Sequence, residues 1–90
     1  MAETKKGAAK PAAISGKYGR VTTERGTFHD GEPVFILRAS DKGALAALSR
    51  YRNNVEESNA PREFLDSLDK LILDFTEWRV SNKDKVKNPD

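Results

Sequence analysis

Apolar and polar positions follow different rhythms along the chain, and each rhythm predicts a different element. Phe64, Leu65, Leu68, Leu71, Ile72, Phe75 and Trp78 recur at spacings of three and four, with Glu63, Asp66, Ser67, Asp69, Lys70, Asp74 and Glu77 on the other side. That is the period of an amphipathic helix with one face in a core. Ala44, Leu45, Ala47, Leu48, Tyr51 and Val55 keep the same spacing and predict an earlier helix that fades between Asn53 and Ser58. Ser40 or Asp41 is the expected cap of this first helix. Asn59 or Ala60 should cap the second, with Pro61 in its first turn, where the missing N–H costs nothing. The short link from Ser58 to Ala60 makes the two helices antiparallel neighbours.

Ahead of the helices the pattern favours strands. Residues 18–28 are rich in Tyr, Val, Thr and Phe, which suit a pleated surface. Tyr18, Arg20 and Thr22 would share one face, with Val21 and Thr23 on the other. His29-Asp30-Gly31-Glu32 is a turn signal, because Asp-Gly takes positive φ readily. Pro33 then opens the apolar run Val34-Phe35-Ile36-Leu37, followed by Arg38 and Ala39. A short apolar run bounded by turn residues reads as a strand, and a proline is tolerated at its first position.

The expected fold class is α+β, a two-stranded antiparallel β-hairpin followed by an antiparallel helical hairpin, in the order ββαα. Residues 1–16 hold Ala, Lys, Gly and Pro with one isolated aliphatic, Ile14, and read as a disordered basic tail. Residues 17–80 form the expected single domain. Residues 81–90, with Val86 their only apolar residue, read as a second disordered tail.

The apolar run sets a problem for this arrangement. Phe35 and Leu37 face one way and Val34 and Ile36 the other, yet two helices cover only one face of a hairpin. The surplus face, with Val34, Ile36 and the nearby Tyr18, is the expected interface. The residues 18–28 folding over, or a second copy of the chain, would close it, and a homodimer is the preferred solution.

Composition narrows the chemistry. A folded part of roughly 60 residues buries only about 60% of the surface that its unfolded chain exposes. Units this small often take a disulfide, a metal or a second subunit as support. The chain has no cysteine and one histidine, so disulfides, thiolate metal sites, Ser-His-Asp and Cys-His arrangements find no residues here. His29, in the expected turn, is more often solvated than catalytic. Neither a catalytic residue, a metal site nor a cofactor is implied, and the chain is read as no enzyme. No apolar run is long enough to span a membrane. The N-terminus lacks the hydrophobic centre of a secretory signal, so the cytoplasm is the expected compartment.

The net charge of +2 is unevenly spread. Lys5, Lys6, Lys10 and Lys17 against Glu3 give residues 1–17 a charge of +3, whereas residues 18–80 carry −2 from nine Lys/Arg and eleven Asp/Glu. Residues 81–90 hold three lysines and two aspartates, a charge of +1. A compact nucleic-acid-binding domain usually places its positive footprint on the folded face. Here the four lysines of the leader would give only weak, salt-sensitive nucleic-acid binding. Arg50, Tyr51 and Arg52 could stack on bases, but Tyr51 belongs to the apolar stripe. The glycines fit no phosphate-binding fingerprint.

The most suggestive polar cluster is Arg38, Ser40, Asp41 and Lys42, where a strand hands over to a helix N-terminus. Such a junction offers backbone N–H groups and a favourable dipole to an anion, and a nucleotide is the ligand class to consider. Capping by Ser40 or Asp41 is the plainer reading of the same residues.

The segments Lys17-Tyr18-Gly19-Arg20-Val21-Thr22-Thr23 and Glu32-Pro33-Val34-Phe35-Ile36-Leu37-Arg38-Ala39-Ser40-Asp41-Lys42 resemble a group of small phage-encoded proteins of unknown function. The Ala/Lys-rich leader resembles those found in phages of actinobacteria. The similarity covers roughly residues 17–80. It implies a phage or prophage accessory protein, with a host or phage protein as its partner, and it supplies no catalytic residues.

Overall fold

The computed structural model describes residues 10–88, and the chain divides into two compact units at Ile36 and Leu37. The first unit is a three-stranded sheet. Strand β1 (Ala13–Ser15) is its centre, β2 (Gly19–Val21) lies antiparallel on one side, and β3 (Pro33–Val34) lies parallel on the other. Register pairs Ala13 with Val21, Ile14 with both Arg20 and Pro33, and Ser15 with both Gly19 and Val34.

The antiparallel hairpin therefore forms earlier in the chain than the sequence pattern predicts. Its turn is Gly16-Lys17-Tyr18, where the Ser15 hydroxyl accepts the N–H groups of Lys17 and Tyr18 at 3.2 and 3.1 Å. Gly19 follows at φ 77°, the left-handed residue that a three-residue hairpin loop calls for. Residues 10–16 are thus not all tail: Ala13 is fully buried, and Ala12 nearly so. Small size, not hydrophobicity, places these two alanines inside.

The segment 22–28 does not continue as a strand. The Thr23 hydroxyl accepts the N–H groups of Arg25 and Gly26, a local turn that competes with a ladder. The expected turn at 29–32 is present, with Gly31 at φ 76° and the Glu32 N–H donating to His29 O at 3.0 Å. Its role differs from the expected one. Gly31 donates to Ala12 O, and Ile14 to Glu32 O, both at 2.8 Å, so the turn docks the chain parallel to β1. The Val34–Leu37 run pairs only through Val34, and the division between the units falls within it.

In the second unit α1 (Ala44–Glu57) and α2 (Arg62–Ser81) pack against each other, as the periodicity predicts. Gly43, not Ser40 or Asp41, is the α1 cap residue, and Pro61, not Asn59 or Ala60, that of α2; neither makes a side-chain cap bond. Helix α1 ends where Asn59 takes φ 64°. The Asn59 N–H bonds Glu56 O and the Ala60 N–H bonds Val55 O, both at 3.0 Å. That Schellman arrangement satisfies the last carbonyls and reverses the chain.

The core of this unit is Ala44, Leu48, Leu68 and Phe75, with Leu37, Ala39, Leu45, Val55 and Ile72 packed around them. Beyond α2, a short 3-10 turn (Lys83–Lys85) returns the chain to the start of α1, where Asp41 and Lys87 form a parallel bridge. The described part of the expected C-terminal tail is thus built into the unit.

Candidate functional site

The strand-to-helix junction is closed by the returning C-terminal segment. Its N–H groups can be followed one by one. Asp41 donates to Arg38 O at 3.0 Å, Lys42 to Lys87 O at 2.7 Å, Gly43 to Asp41 Oδ1 at 2.9 Å, and Ala44 to Asp41 O at 3.0 Å. Lys87 donates in turn to Ser40 O at 3.0 Å. The N–H groups of Asp41, Lys42, Gly43 and Ala44 thus already have partners, and the Asp41 carboxylate, which accepts one of them, would set its negative charge against an incoming anion. Arg38 and Lys42 are exposed, and Ser40 and Asp41 half-buried. Arg79 reaches back to Lys42 O at 3.5 Å and leaves its Nη1 buried without a partner among the described residues. Millimolar nucleotide is accordingly expected to leave the thermal midpoint unchanged. Binding at 100 times the dissociation constant would add about 2.7 kcal/mol, which a thermal-shift measurement would register.

The polar side of the helix pair is an ion-pair lattice. Arg52 donates through Nε and Nη2 to both oxygens of Asp69, at 2.8 and 3.3 Å, and through Nη1 to Glu56 at 2.6 Å. This fork ties α1 to α2. The hydrogen bond and charge of Asp69 hold the Arg52 pKa above its ordinary value. Arg62 pairs with Asp66 at 3.0 Å and Lys70 with Asp74 at 2.8 Å, both one turn along α2. The hydrogen bond from Lys70 to Asp74, then the Asp74 charge, raises the lysine pKa. A raised lysine contributes stability that is present below its unfolded pKa and lost as pH rises through the folded one. The pair is exposed, so the effect is small.

Of the leader lysines, Lys5 and Lys6 lie outside the described residues. Lys10 Nζ donates to Thr23 O at 2.6 Å, and Lys17 Nζ lies 5.6 Å from the centroid of the Tyr18 ring. His29 is exposed, its backbone N–H bonded to Glu32 Oε1 at 3.0 Å. Among the described residues no group of three or more His, Asp or Glu is gathered as a metal ion would need. No helix there is long and apolar enough to cross a membrane.

The surfaces left over are apolar. In the sheet, cross-strand partners share a face, so Ala13, Ser15, Val21 and Val34 lie on one side and Ile14, Arg20 and Pro33 on the other. The first side is buried or half-buried, and the second is exposed. Val34 therefore sits on the covered side. The neighbouring Phe35 is the bare residue, at 78% exposure, with Ile36 and Tyr18 also exposed.

The helix pair leaves a second bare surface. Phe64, Leu71 and Trp78 are spaced by seven on α2, and Tyr51 lies on the matching flank of α1; all four are between 38% and 49% exposed. Sequence periodicity merges these side chains with the core stripe. The available signal is the stripe's width: from Trp78 round to Leu65 it spans about 140° of the helix, at 3.6 residues per turn, more than one partner helix covers.

Comparison with family models, with curated proteins and with solved structures finds no match.

Proposed function

We propose that the chain is a non-enzymatic binding protein that engages another protein through apolar surface and works as a homodimer. The phage-protein resemblance makes a phage accessory role in a host cytoplasm the setting for this reading. One observation carries it. Among the described residues, ten large hydrophobic ones are 38% or more exposed, whereas the buried ones are Leu48, Leu65, Leu68 and Phe75, with Leu37, Leu45, Val55 and Ile72 half-buried around the core. Burying one such side chain is worth about 1.5–3 kcal/mol, so a surface of this kind has a strong drive to be covered. Contiguous apolar patches mark interaction sites.

The side of the sheet bearing Ile14 and Pro33, together with the bare Phe35, is the surface proposed for the partner. The test compares the native chain with Phe35→Ser as bait in host lysate. A discrete protein retained by the native chain and lost with the variant is the expected result. Recovery of the same proteins by both baits would contradict the reading.

A further inference from the structure

The flank of the helix pair has a shape and charge pattern that its own mirror across a two-fold axis would satisfy. Along α2, Phe64, Leu68, Leu71, Phe75 and Trp78 alternate in spacings of four and three, the seam of a helix that packs knobs into holes. Along α1, Ala44, Leu48, Tyr51 and Val55 do the same. Leu68 and Phe75 of the one helix, and Ala44 and Leu48 of the other, are spent on the core between the helices. Phe64, Leu71, Trp78 and Tyr51 stand at the edge of that core, half outside it, on the side of the pair away from the Arg52–Asp69 fork.

We propose that this flank, Tyr51 with Phe64, Leu71 and Trp78, closes on the same flank of a second copy, giving a four-helix arrangement. The inference rests on the homodimer reading above and moves the interface from the strand residues to the helices.

Two considerations select a second copy as the occupant. The first is size. Helices of 14 and 20 residues are about 21 and 30 Å long at 1.5 Å per residue. With axes about 9 Å apart, they offer a footprint of about 25 by 20 Å, on the order of 500 Å2 before corrugation is counted. Doubled over the two copies, that is about the 1,000 Å2 at which a specific interface begins, the size of a weak dimer. A single added helix would cover only half of it.

The second consideration is charge. A two-fold axis running parallel to the helices sets the outer rim of α1 against the outer rim of α2 of the other copy. The α2 rim carries Glu63 and the Lys70–Asp74 pair, and the α1 rim carries Arg50 with the neutral Asn54, all exposed. Arg50 then faces a net acidic rim on both sides of the axis, and the apolar centre lies between them. Four-helix packing at about 20° follows from seams of this spacing.

The experiment is sedimentation of the intact chain at tens to hundreds of micromolar, with Leu71→Lys, Tyr51→Lys and Phe35→Ser as variants. Helical circular dichroism serves as the check on folding, and Leu71 and Tyr51 are exposed enough to be replaced within one chain. The expected results are a native mass of twice 10.0 kDa, a dimer weakened about 100-fold by either lysine at unchanged helicity, and no weakening by Phe35→Ser. A native chain of 10.0 kDa at hundreds of micromolar overturns the proposal. So does a dimer that survives both lysines, or one that dissolves only with Phe35→Ser. Loss of the dimer proposal with Phe35-dependent partner capture intact would leave the protein-binding reading standing; a dimer without any such capture would do the reverse.

Discussion

Phe75→Ala is expected to cost the helical unit about 3–5 kcal/mol, the range for removing a buried phenylalanine. Phe75 is a large ring in a core whose other buried members are Ala44, Leu48 and Leu68. With so few large side chains inside, the cavity has little around it that can collapse. Small domains hold about 5 kcal/mol or little more, so this one truncation is of the same order as the whole. At about 4–8 °C per kcal/mol for a domain of this size, the thermal midpoint should fall by roughly 12–40 °C. Leu73→Ala provides the contrast. Leu73 lies on the same helix at an exposed position, where substitutions stay within about 0.5 kcal/mol. Equal losses from the two variants, read by thermal circular dichroism, would contradict the assignment of the core.

Ala44→Glu should be as damaging for a different reason. Ala44 has no exposed surface and opens α1 against Leu48, Leu68 and Phe75. An acid near a helix N-terminus gains about 0.3–1 kcal/mol from the dipole. A carboxylate taken out of water without a partner loses several kcal/mol, so burial wins and the unit unfolds at neutral pH. The sign of the pH dependence follows from the same term. Burial disfavours the charged form and would raise the glutamate pKa above its unfolded value of about 4.3. The penalty is then full at pH 7 and relieved as pH falls toward that value, so the variant should regain helicity on mild acidification. Ala46→Glu, two residues on and exposed, should leave the midpoint nearly unchanged at both pH values.

The helices were legible in the sequence because a period of 3.6 repeated from Phe64 to Trp78 has few alternative explanations. Their ends were less so. Ser40 and Asp41 looked like caps, but the chain takes one more turn through Gly43 before the helix begins, and Asp41 bonds the Gly43 N–H instead. The strands were misplaced for two reasons that composition hides. Alanine scores as a weak hydrophobe, so Ala12 and Ala13 looked like tail, although their small size is what admits them to the interior. Threonine scores as a strand former, yet the Thr23 hydroxyl captures its neighbours' N–H groups and breaks the strand.

The candidate sites divide along the same line. A strand-to-helix handover is visible in Arg38–Lys42, but nothing local announces that Lys87 returns to take the Lys42 N–H. The Val34–Leu37 run shows that apolar residues outnumber the places to bury them, but not which of them stay bare. Which of two alternating residues is bare depends on register, and pairing of Ser15 with Val34 puts Val34 inside and leaves Phe35 out. On α2 the stripe looked like one face with one purpose. Only the position of α1 shows that Leu68 and Phe75 are buried against it while Phe64, Leu71 and Trp78 are left half uncovered.

Trp78 is the single tryptophan of the chain and lies on the proposed dimer flank, so its emission reports on whether that flank is covered. Its emission should be followed together with molar mass as the native protein is diluted from hundreds of micromolar downward. A blue-shifted indole is expected at a mass of twice 10.0 kDa, with emission moving to the red only as the mass halves. A water-exposed emission and a mass of 10.0 kDa at the highest concentration would contradict the proposed dimer.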